Sequence, residues 1–457
     1  MRNYIKTDSR KVIQGDIFVA LKGILSDGHD YIEQAISNGA SLIVCEHGNY
    51  PVETLIVNDT REYLINKLKE EYKSIIEEMT IIGITGTNGK TTTSYLLYES
   101  LNKLNKKTSY VGTLGFYLDG KVKNLNNSTP DITDIYDFLI ESYNKGYKTM
   151  VIEASSQGLS YGRLDSIEFD YAIFTNLTQD HLDYHKTMEN YAYAKQLLFK
   201  KLKKDGVSII NIDDGYHKYF DLFGNKITYG FNNSDIMLIE YSLNKNFTTV
   251  DIKIENQIVK IKTNLIGKFN LYNISAAIAI LKNMKFTNKQ IVDVIAVLSP
   301  PEGRMEKIEY KNNNLIIIDY AHTPDSIEKS INIARQFTKG DIYVVFGCTG
   351  ERDRSKRPIM TQIATTLSKK AILTIDDPHN ENIDDIFKDM IDGVYNNNYE
   401  ICTDRKEAII KGINELEKDD TLLILGKGHE EFIIKGNERI PFSDKEEVLN
   451  YIKDTND

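Results

Sequence analysis

The sequence predicts an α/β protein built from two or three compact units. Its 457 residues exceed one ordinary domain. An apolar strand, a Gly-rich turn and a helix start follow one another in TIIGITGTNGKTTT. In the last third, an apolar strand runs straight into polar residues four times.

Up to about Met79, strand-like runs (IFVAL, SLIVCE, TLIVN) alternate with short helical patterns and end in a charged helical segment, NKLKEEYKSIIEE. A second unit opens with the Gly-rich turn and carries buried-strand signals at TMVIEAS and DYAIFTNL, as in a parallel sheet. The polar stretch LSPPEGRMEK marks the next boundary, so the expected domains are 1–79, 80–303 and 304–457. The four repeats of the last domain are LIIIDYAHTPD, IYVVFGCTGERDRSKRP, AILTIDDPHNE and TLLILGKGHEE. Ligands of open α/β sheets bind beyond the carboxyl ends of the strands, so these tails are expected to converge on one edge as a second ligand-binding unit.

A composition of 41% apolar and 27% charged residues is that of a globular protein. The formal net charge of −10 argues against a general nucleic-acid or membrane-surface binder, because neither polyanion attracts it. The start, MRNYIKTDSRKV, lacks the apolar segment of a signal peptide, and no apolar run reaches membrane-spanning length. Cys45, Cys348 and Cys402 have neither metal-ligand nor paired spacing, which fits free thiols in a reducing cytoplasm.

Gly86-Thr87-Asn88-Gly89-Lys90-Thr91-Thr92 is a candidate phosphate site. Glycines let backbone N–H groups turn toward a phosphate, the helix N-terminus adds positive potential, Lys90 can reach the terminal phosphates and Thr91 can place its hydroxyl on Mg²⁺. The strict GxxxxGK[ST] pattern needs glycine at 84, where this chain has Ile84, with glycines at 83 and 86. A ligand-free turn is the bland alternative. The Lys-Thr-Thr-Thr run at the helix start favours ATP.

Glu153 ends one apolar strand and Asp180-His181 follow another, so both lie where strand ends meet a phosphate site. A carboxylate and an imidazole there can hold a divalent ion that offsets charge on a transferred phosphoryl group. Singly, Glu153 could pair with a lysine and His181 could cap a helix. Lys195, in NYAYAKQLLFKK, reads from spacing alone as a solvated or snorkelling lysine.

Many runs match one family in order: DSRKVIQGDIFVALKGILSDGHDYI, GITGTNGKTTT, STPD, EASSQGLSYGR, FTNLTQDHLDYHKTMENYAYAK, GKFNLYNISAAIA, GRMEKI, IDYAHTPDSIEK, VFGCTGERDRSKRP and GKGHE. On these runs the chain resembles the Mur ligases, in particular those that add the third residue of the peptidoglycan stem peptide. The family uses this GTNGKT form of the phosphate loop. The resemblance implies a three-domain α/β fold: an N-terminal UDP-binding domain, a central ATPase with a parallel sheet, and a C-terminal Rossmann-like domain that takes the amino acid. It implies a cytoplasmic, monomeric enzyme of peptidoglycan precursor synthesis, and so of cell-wall biogenesis, shape and division.

Site roles follow from the same resemblance. ATP and Mg²⁺ would be handled by the loop residues, with Asn273, Arg304 and Asp319 matching contacts to adenosine and phosphates. Glu153, His181 and Lys195 would hold a second Mg²⁺, Lys195 as a CO₂-derived carbamate. Ser9, Arg10 and His29 match contacts to UDP, and Ser128, Thr129, Ser155 and Arg163 match contacts to the muramoyl-peptide arm. Gly426 and Glu430 match contacts to the acceptor. The implied reaction transfers the γ-phosphate of ATP to the D-glutamate side-chain carboxylate of UDP-MurNAc-L-Ala-D-Glu, and a diamino acid then attacks the acyl phosphate.

The chain departs from the family at two places. Relatives that add meso-diaminopimelate usually carry Asp-Asn-Pro-Arg where this chain has Asp376-Asp377-Pro378-His379. Histidine lacks the bidentate fork of arginine, and Asp377 adds negative charge. Both changes favour L-lysine or L-ornithine as acceptor, with meso-diaminopimelate as the alternative. Gln157 stands where many relatives have histidine.

Three other readings compete. A folylpolyglutamate-synthetase-like ligase would share the ATPase chemistry, but the N-terminal DSR…DGHDYI block resembles the UDP-MurNAc domain. A non-catalytic paralogue should have lost some of Lys90, Glu153, His181, Lys195 or Arg304, and all are present. A paralogue building another peptide is the third alternative.

Overall fold

A computed structural model describes residues 2–23 and 26–455, so Ile24 and Leu25 of the N-terminal matching run lie outside the described residues. The chain divides into two compact units, Met1–Ile239 with Ile252–Val259 and Tyr272–Val294, and Glu240–Asp251 with Lys260–Leu271 and Ile295–Asp457.

The first unit begins with four short parallel strands in sequential order, β1 (Ile5–Lys6), β2 (Ile17–Val19), β3 (Leu42–Cys45) and β4 (Glu53–Ile56). Alternating residues of β2 and β3, Phe18 and Ile43 among them, pack with Ile32 and Ala35 in a small core. The charged run before Met79 forms helices Thr60–Glu71 and Lys73–Glu78. Asp59 caps the first by accepting from the Arg61 and Glu62 N–H groups. Leu64, Leu68, Ile75 and Ile76 bury in the same core as the next sheet. Met79 therefore marks where the chain changes sheet.

That sheet uses β5 (Thr80–Thr85), β6 (Thr108–Gly112), β7 (Gly115–Leu118), β8 (Gly120–Lys123), β9 (Thr149–Glu153), β10 (Phe169–Phe174), β11 (Leu202–Asn211) and β12 (Asn225–Gly230), in the order β12-β11-β10-β5-β9-β6-β7-β8. β6, β9, β5, β10, β11 and β12 run parallel, so their carboxyl ends share one edge. β6 and β9 are buried throughout and β5 from its second residue on, which is why they read as largely apolar runs rather than alternating ones. Strands β13 (Ile236–Leu243), β14 (Thr248–Ile254) and β15 (Gln257–Thr263) follow in sequence.

The second unit holds β16 (Glu306–Tyr310), β17 (Asn314–Asp319), β18 (Ile342–Cys348), β19 (Lys370–Ile375), β20 (Tyr399–Ile401) and β21 (Thr421–Leu425), ordered β16-β17-β21-β18-β19-β20. The four strands read from the sequence as apolar runs with polar tails are β17, β18, β19 and β21. They are mutually parallel, so their tails do emerge at one edge. A two-stranded ribbon, β22 (Phe432–Lys435) and β23 (Glu438–Pro441), follows. Among the described residues no helix is long and apolar enough to cross a membrane.

Candidate active site

The Gly-rich turn leaves β5 at the middle of the parallel sheet and enters the helix Lys90–Lys103. Gly86 has φ 148°, and a Cβ there would lie 1.8 Å from Thr175 Oγ1, so only glycine fits. The loop is braced from β10: Asn176 accepts from the Thr87 N–H through its carbonyl (2.8 Å) and from the Asn88 N–H through its side chain (2.9 Å). No side chain caps the helix start, where Gly89 is left-handed. That leaves a helix N-terminus suited to anions. Lys90 Nζ donates to the carbonyls of Gly86 (2.9 Å) and Thr87 (2.8 Å), folded over the turn it would serve. Thr92 is buried in the first turn of this helix. Asn273, predicted to reach the nucleotide, accepts from Thr93 Oγ1 at 3.1 Å beside Gly89.

Glu153 is fully buried at the end of β9. Its Oε2 accepts from Thr91 Oγ1 and Thr113 Oγ1, each at 3.0 Å, and its Oε1 accepts from the Thr113 N–H (3.0 Å) and the Tyr110 hydroxyl (2.5 Å). Thr91, read as a Mg²⁺ ligand, and Glu153, read as another, are thus in direct contact. No ion pair to Glu153 is seen among the described residues, so a buried carboxylate stands beside the phosphate loop without a cation. Burying such a charge unpaired is costly, and a divalent ion would satisfy it. The donor set fits Mg²⁺: carboxylate and hydroxyl oxygens.

The lysine expected from spacing to be solvated is not. Lys195 is 1% exposed, donates to the Gly86 carbonyl at 2.8 Å and lies 4.3 Å from the Tyr191 ring centre. Burial, reinforced by the charge of Lys90, holds its ammonium well below the usual lysine range. Tyr191, Lys195 and Leu198 are spaced i, i+4, i+7 on one buried helix face, a signal legible in the sequence. His181 is left-handed at the N-cap of Leu182–His185, makes no side-chain cap bond, and lies 3.5 Å from Asp180. It is about half exposed.

The residues predicted for the muramoyl-peptide arm form one chain with Glu153. Ser128 Oγ lies 2.9 Å from Thr113 Oγ1 and can donate to it while Thr113 donates to Glu153. Thr129 Oγ1 donates to the Glu153 carbonyl (2.7 Å) and lies 3.0 Å from Ser155 Oγ. Arg163 donates to the Thr129 carbonyl (2.8 Å) and pairs with Asp131 at 3.0 Å. Ser155 caps the short helix that carries Gln157. Of the predicted UDP residues, Ser9 is buried and donates to Gln34, and Arg10 is exposed and paired with Asp8. His29 Nε2 accepts from the Glu46 N–H at 3.0 Å, so its Nδ1 donates to Asp27 at 2.6 Å. Both ring nitrogens of His29 are therefore occupied by the protein.

In the second unit, Arg304 stacks on the Tyr320 ring at 4.5 Å, and its buried Nε has no hydrogen-bond partner among the described residues. Asp319 accepts from the Met305 N–H (2.8 Å) and Ser330 (3.0 Å), and burial pushes its carboxyl up against the pull of Arg304. At the ends of β19 and β21 the three carboxylates of Asp376, Asp377 and Glu430 come together, with oxygens within 4.8 Å of one another. Lys427, unassigned by the sequence reading, sits among them fully buried: 2.8 Å from Asp377, 2.8 Å from Glu430 and 3.6 Å from Asp376. Burial pulls its ammonium down, but the three carboxylates outweigh it and raise its pKa. Burial pushes the Glu430 carboxyl up, with Lys427 opposing. Asp377 Oδ1 also accepts from the Ile434 N–H at 2.9 Å. Asp377, expected to make the acceptor pocket more negative, shares Lys427 with Glu430 and Asp376, and its Oδ1 is held by that cation and by a backbone donor. His379 is left-handed and bridges to Lys435, tying this loop to β22. A Cβ on Gly426 would lie 2.8 Å from Asp376 Oδ2.

Residues missed by sequence reasoning are Tyr110, Thr113, Asn176 and Lys427. Thr113 follows β6 directly and Asn176 lies two residues past β10, so the strand-end rule that located Glu153 could have located them.

The chain matches three family domains in order: the Mur ligase family catalytic domain over residues 3–75, the Mur ligase middle domain over 84–281, and the Mur ligase glutamate ligase domain over 303–428. It is 39% identical over 454 residues to the UDP-N-acetylmuramoyl-L-alanyl-D-glutamate–2,6-diaminopimelate ligase of Bacillus cereus, covering 97% of this chain and 92% of that protein. A protein of the same name from Fusobacterium nucleatum is 39% identical over 452 residues, covering 97% and 92%. A solved structure of such a ligase aligns with TM-score 0.71 at 30% identity, covering 100% of this chain and 96% of that one. A folylpolyglutamate synthase of Mycobacterium tuberculosis shares the fold with TM-score 0.66 at 14% identity, over 79% of this chain.

Proposed function

The chain belongs to the Mur ligase family and is an ATP-dependent ligase, and from that premise we propose that it joins 2,6-diaminopimelate to the D-glutamate carboxylate of UDP-MurNAc-L-Ala-D-Glu. The observation that carries this reading is near full-length identity of 39% to proteins named for that reaction. It replaces the preference for L-lysine or L-ornithine, which rested on His379 and Asp377. Arg352 supports the change. It is exposed two residues after Gly350, whose N–H donates to the Asp377 carbonyl at 2.8 Å, so its guanidinium would be the candidate to grip a second carboxylate.

A carboxylate is a poor electrophile, so the γ-phosphate of ATP goes to the glutamate oxygen first, with ADP as leaving group. The N-terminus of helix Lys90–Lys103 and Lys90 would bind the phosphates, and Thr91, Glu153, His181 and carbamylated Lys195 would hold magnesium. Magnesium bound there would offset charge spreading over the phosphoryl oxygens. The depressed pKa of Lys195 supports the carbamate: a neutral amine can add to CO₂ and release a proton, giving an anionic end to an otherwise cationic side chain. The hydroxyl chain of Ser128, Thr129 and Ser155 would orient the glutamyl arm next to Glu153. The acceptor amine attacks the acyl carbon, and the tetrahedral species expels phosphate. Glu430, Asp376 and Gly426 would seat the acceptor's ammonium. Ser9 and Arg10 would face the UDP group, and Asn273, Arg304 and Asp319 the nucleotide. The reaction would belong to cytoplasmic peptidoglycan precursor synthesis.

The test is phosphate release with ATP, Mg²⁺ and UDP-MurNAc-L-Ala-D-Glu against a panel of amines. Turnover with meso-diaminopimelate and little with lysine or ornithine is expected. The reverse order restores the lysine/ornithine reading, and no turnover with any amine points to a paralogue that builds another peptide.

A further inference from the structure

We propose that Tyr110 is a positioning residue for the divalent cation of this site: it fixes one oxygen of Glu153 so that the other is presented to the metal. The inference rests on the ligase reading above, which supplies the cation. The two oxygens of Glu153 are held in different ways. Oε1 accepts from the Tyr110 hydroxyl and the Thr113 N–H, at 2.5 and 3.0 Å. The backbone donor cannot turn away, and neither can the phenol, because Tyr110 is fully buried in β6 with its ring packed against Tyr98, Tyr117 and Tyr95 at 6.2, 5.5 and 6.4 Å. The phenol oxygen accepts from the Leu114 N–H at 3.3 Å, which leaves its proton for the carboxylate.

Among the described residues Oε2 meets only the hydroxyls of Thr91 and Thr113. Each can swing its proton aside and offer a lone pair, so Oε2 and Thr91 Oγ1 could both turn to holding a cation without breaking a fixed bond. The close approach is built into the backbone as well. A Cβ on Gly112 would lie 2.3 Å from Glu153 Oε1 and 2.4 Å from the Tyr110 hydroxyl, so glycine there admits both groups. Partners that orient a ligand in this way usually change metal affinity when removed.

Tyr110→Phe removes the donor and keeps the ring. The full-length protein is titrated with Mn²⁺ in the presence of a non-hydrolysable ATP analogue, and free Mn²⁺ is followed by electron paramagnetic resonance. Affinity is expected to fall by about tenfold. The Mg²⁺ concentration for half-maximal activity should rise with it, while kcat at saturating Mg²⁺ and analogue affinity without metal stay near wild type. Gly112→Ala, which pushes the same two groups apart, should weaken Mn²⁺ binding similarly and serves if Tyr110→Phe does not fold. Wild-type Mn²⁺ affinity in either folded variant overturns the role of Tyr110. Absence of Mn²⁺ binding by the wild-type protein overturns the cation-dependent reading itself.

Discussion

Lys427 Nζ lies 2.8 Å from Asp377 Oδ1, with the lysine side chain sealed from solvent. The residue at which this chain departs from the usual motif of its relatives therefore answers an internal cation. Asp377→Asn keeps an oxygen for the Ile434 N–H and leaves Lys427 with Glu430 and Asp376. The ratio of KM for lysine to KM for diaminopimelate should change by less than about threefold, below the discrimination that a single direct contact supplies. A tenfold swing toward diaminopimelate would mean that position 377 does read the acceptor. Lys427→Met strands two buried carboxylates and the partly exposed Glu430, and should cost about 3–5 kcal/mol by urea unfolding.

Lys195→Ala should abolish phosphate release, with partial recovery in formate or acetate, because a small carboxylate can occupy the space of the missing anionic end. Lys195→Arg, a permanent cation, should gain nothing from either. Depleting bicarbonate should slow the wild-type protein reversibly. Full activity of Lys195→Ala in carboxylate-free buffer would remove Lys195 from the metal site.

Arg357, fully buried, grips Glu381 with two bonds of 2.7 Å and holds its carboxyl down to about 2 from 4.5. An acid whose folded pKa is depressed contributes stability that is complete above the unfolded value and is lost as pH falls through the folded one. Wild-type stability should therefore decline on acidification from 4.5 toward about 2. Glu381→Gln should flatten that decline and cost about 2–3 kcal/mol at neutral pH. Urea midpoints measured across this range check both, and parallel acid profiles for the two proteins would refute the assignment.

Much of the site was legible because its signals are local. The phosphate loop needs particular residues within seven positions, and the strand-to-loop transitions at Glu153, Asp319, Asp376 and Gly426 put those groups at sheet edges before any packing is known. Lys195 was misread from spacing because a lysine usually keeps its head in water. Its companions Tyr191 and Leu198 gave its face away, but only the Gly86 carbonyl behind that face explains why the amine stays inside.

The sequence by itself determined the α/β architecture, the parallel strands and the phosphate turn, since hydrophobic periodicity and glycine placement act over a few residues. Only the tertiary structure decided what the charges mean. Whether Asp377 faces a substrate or Lys427, and whether Glu153 lacks a cation, depends on groups dozens of residues away. Coulomb energies and desolvation costs follow distance and burial, which residue order does not specify.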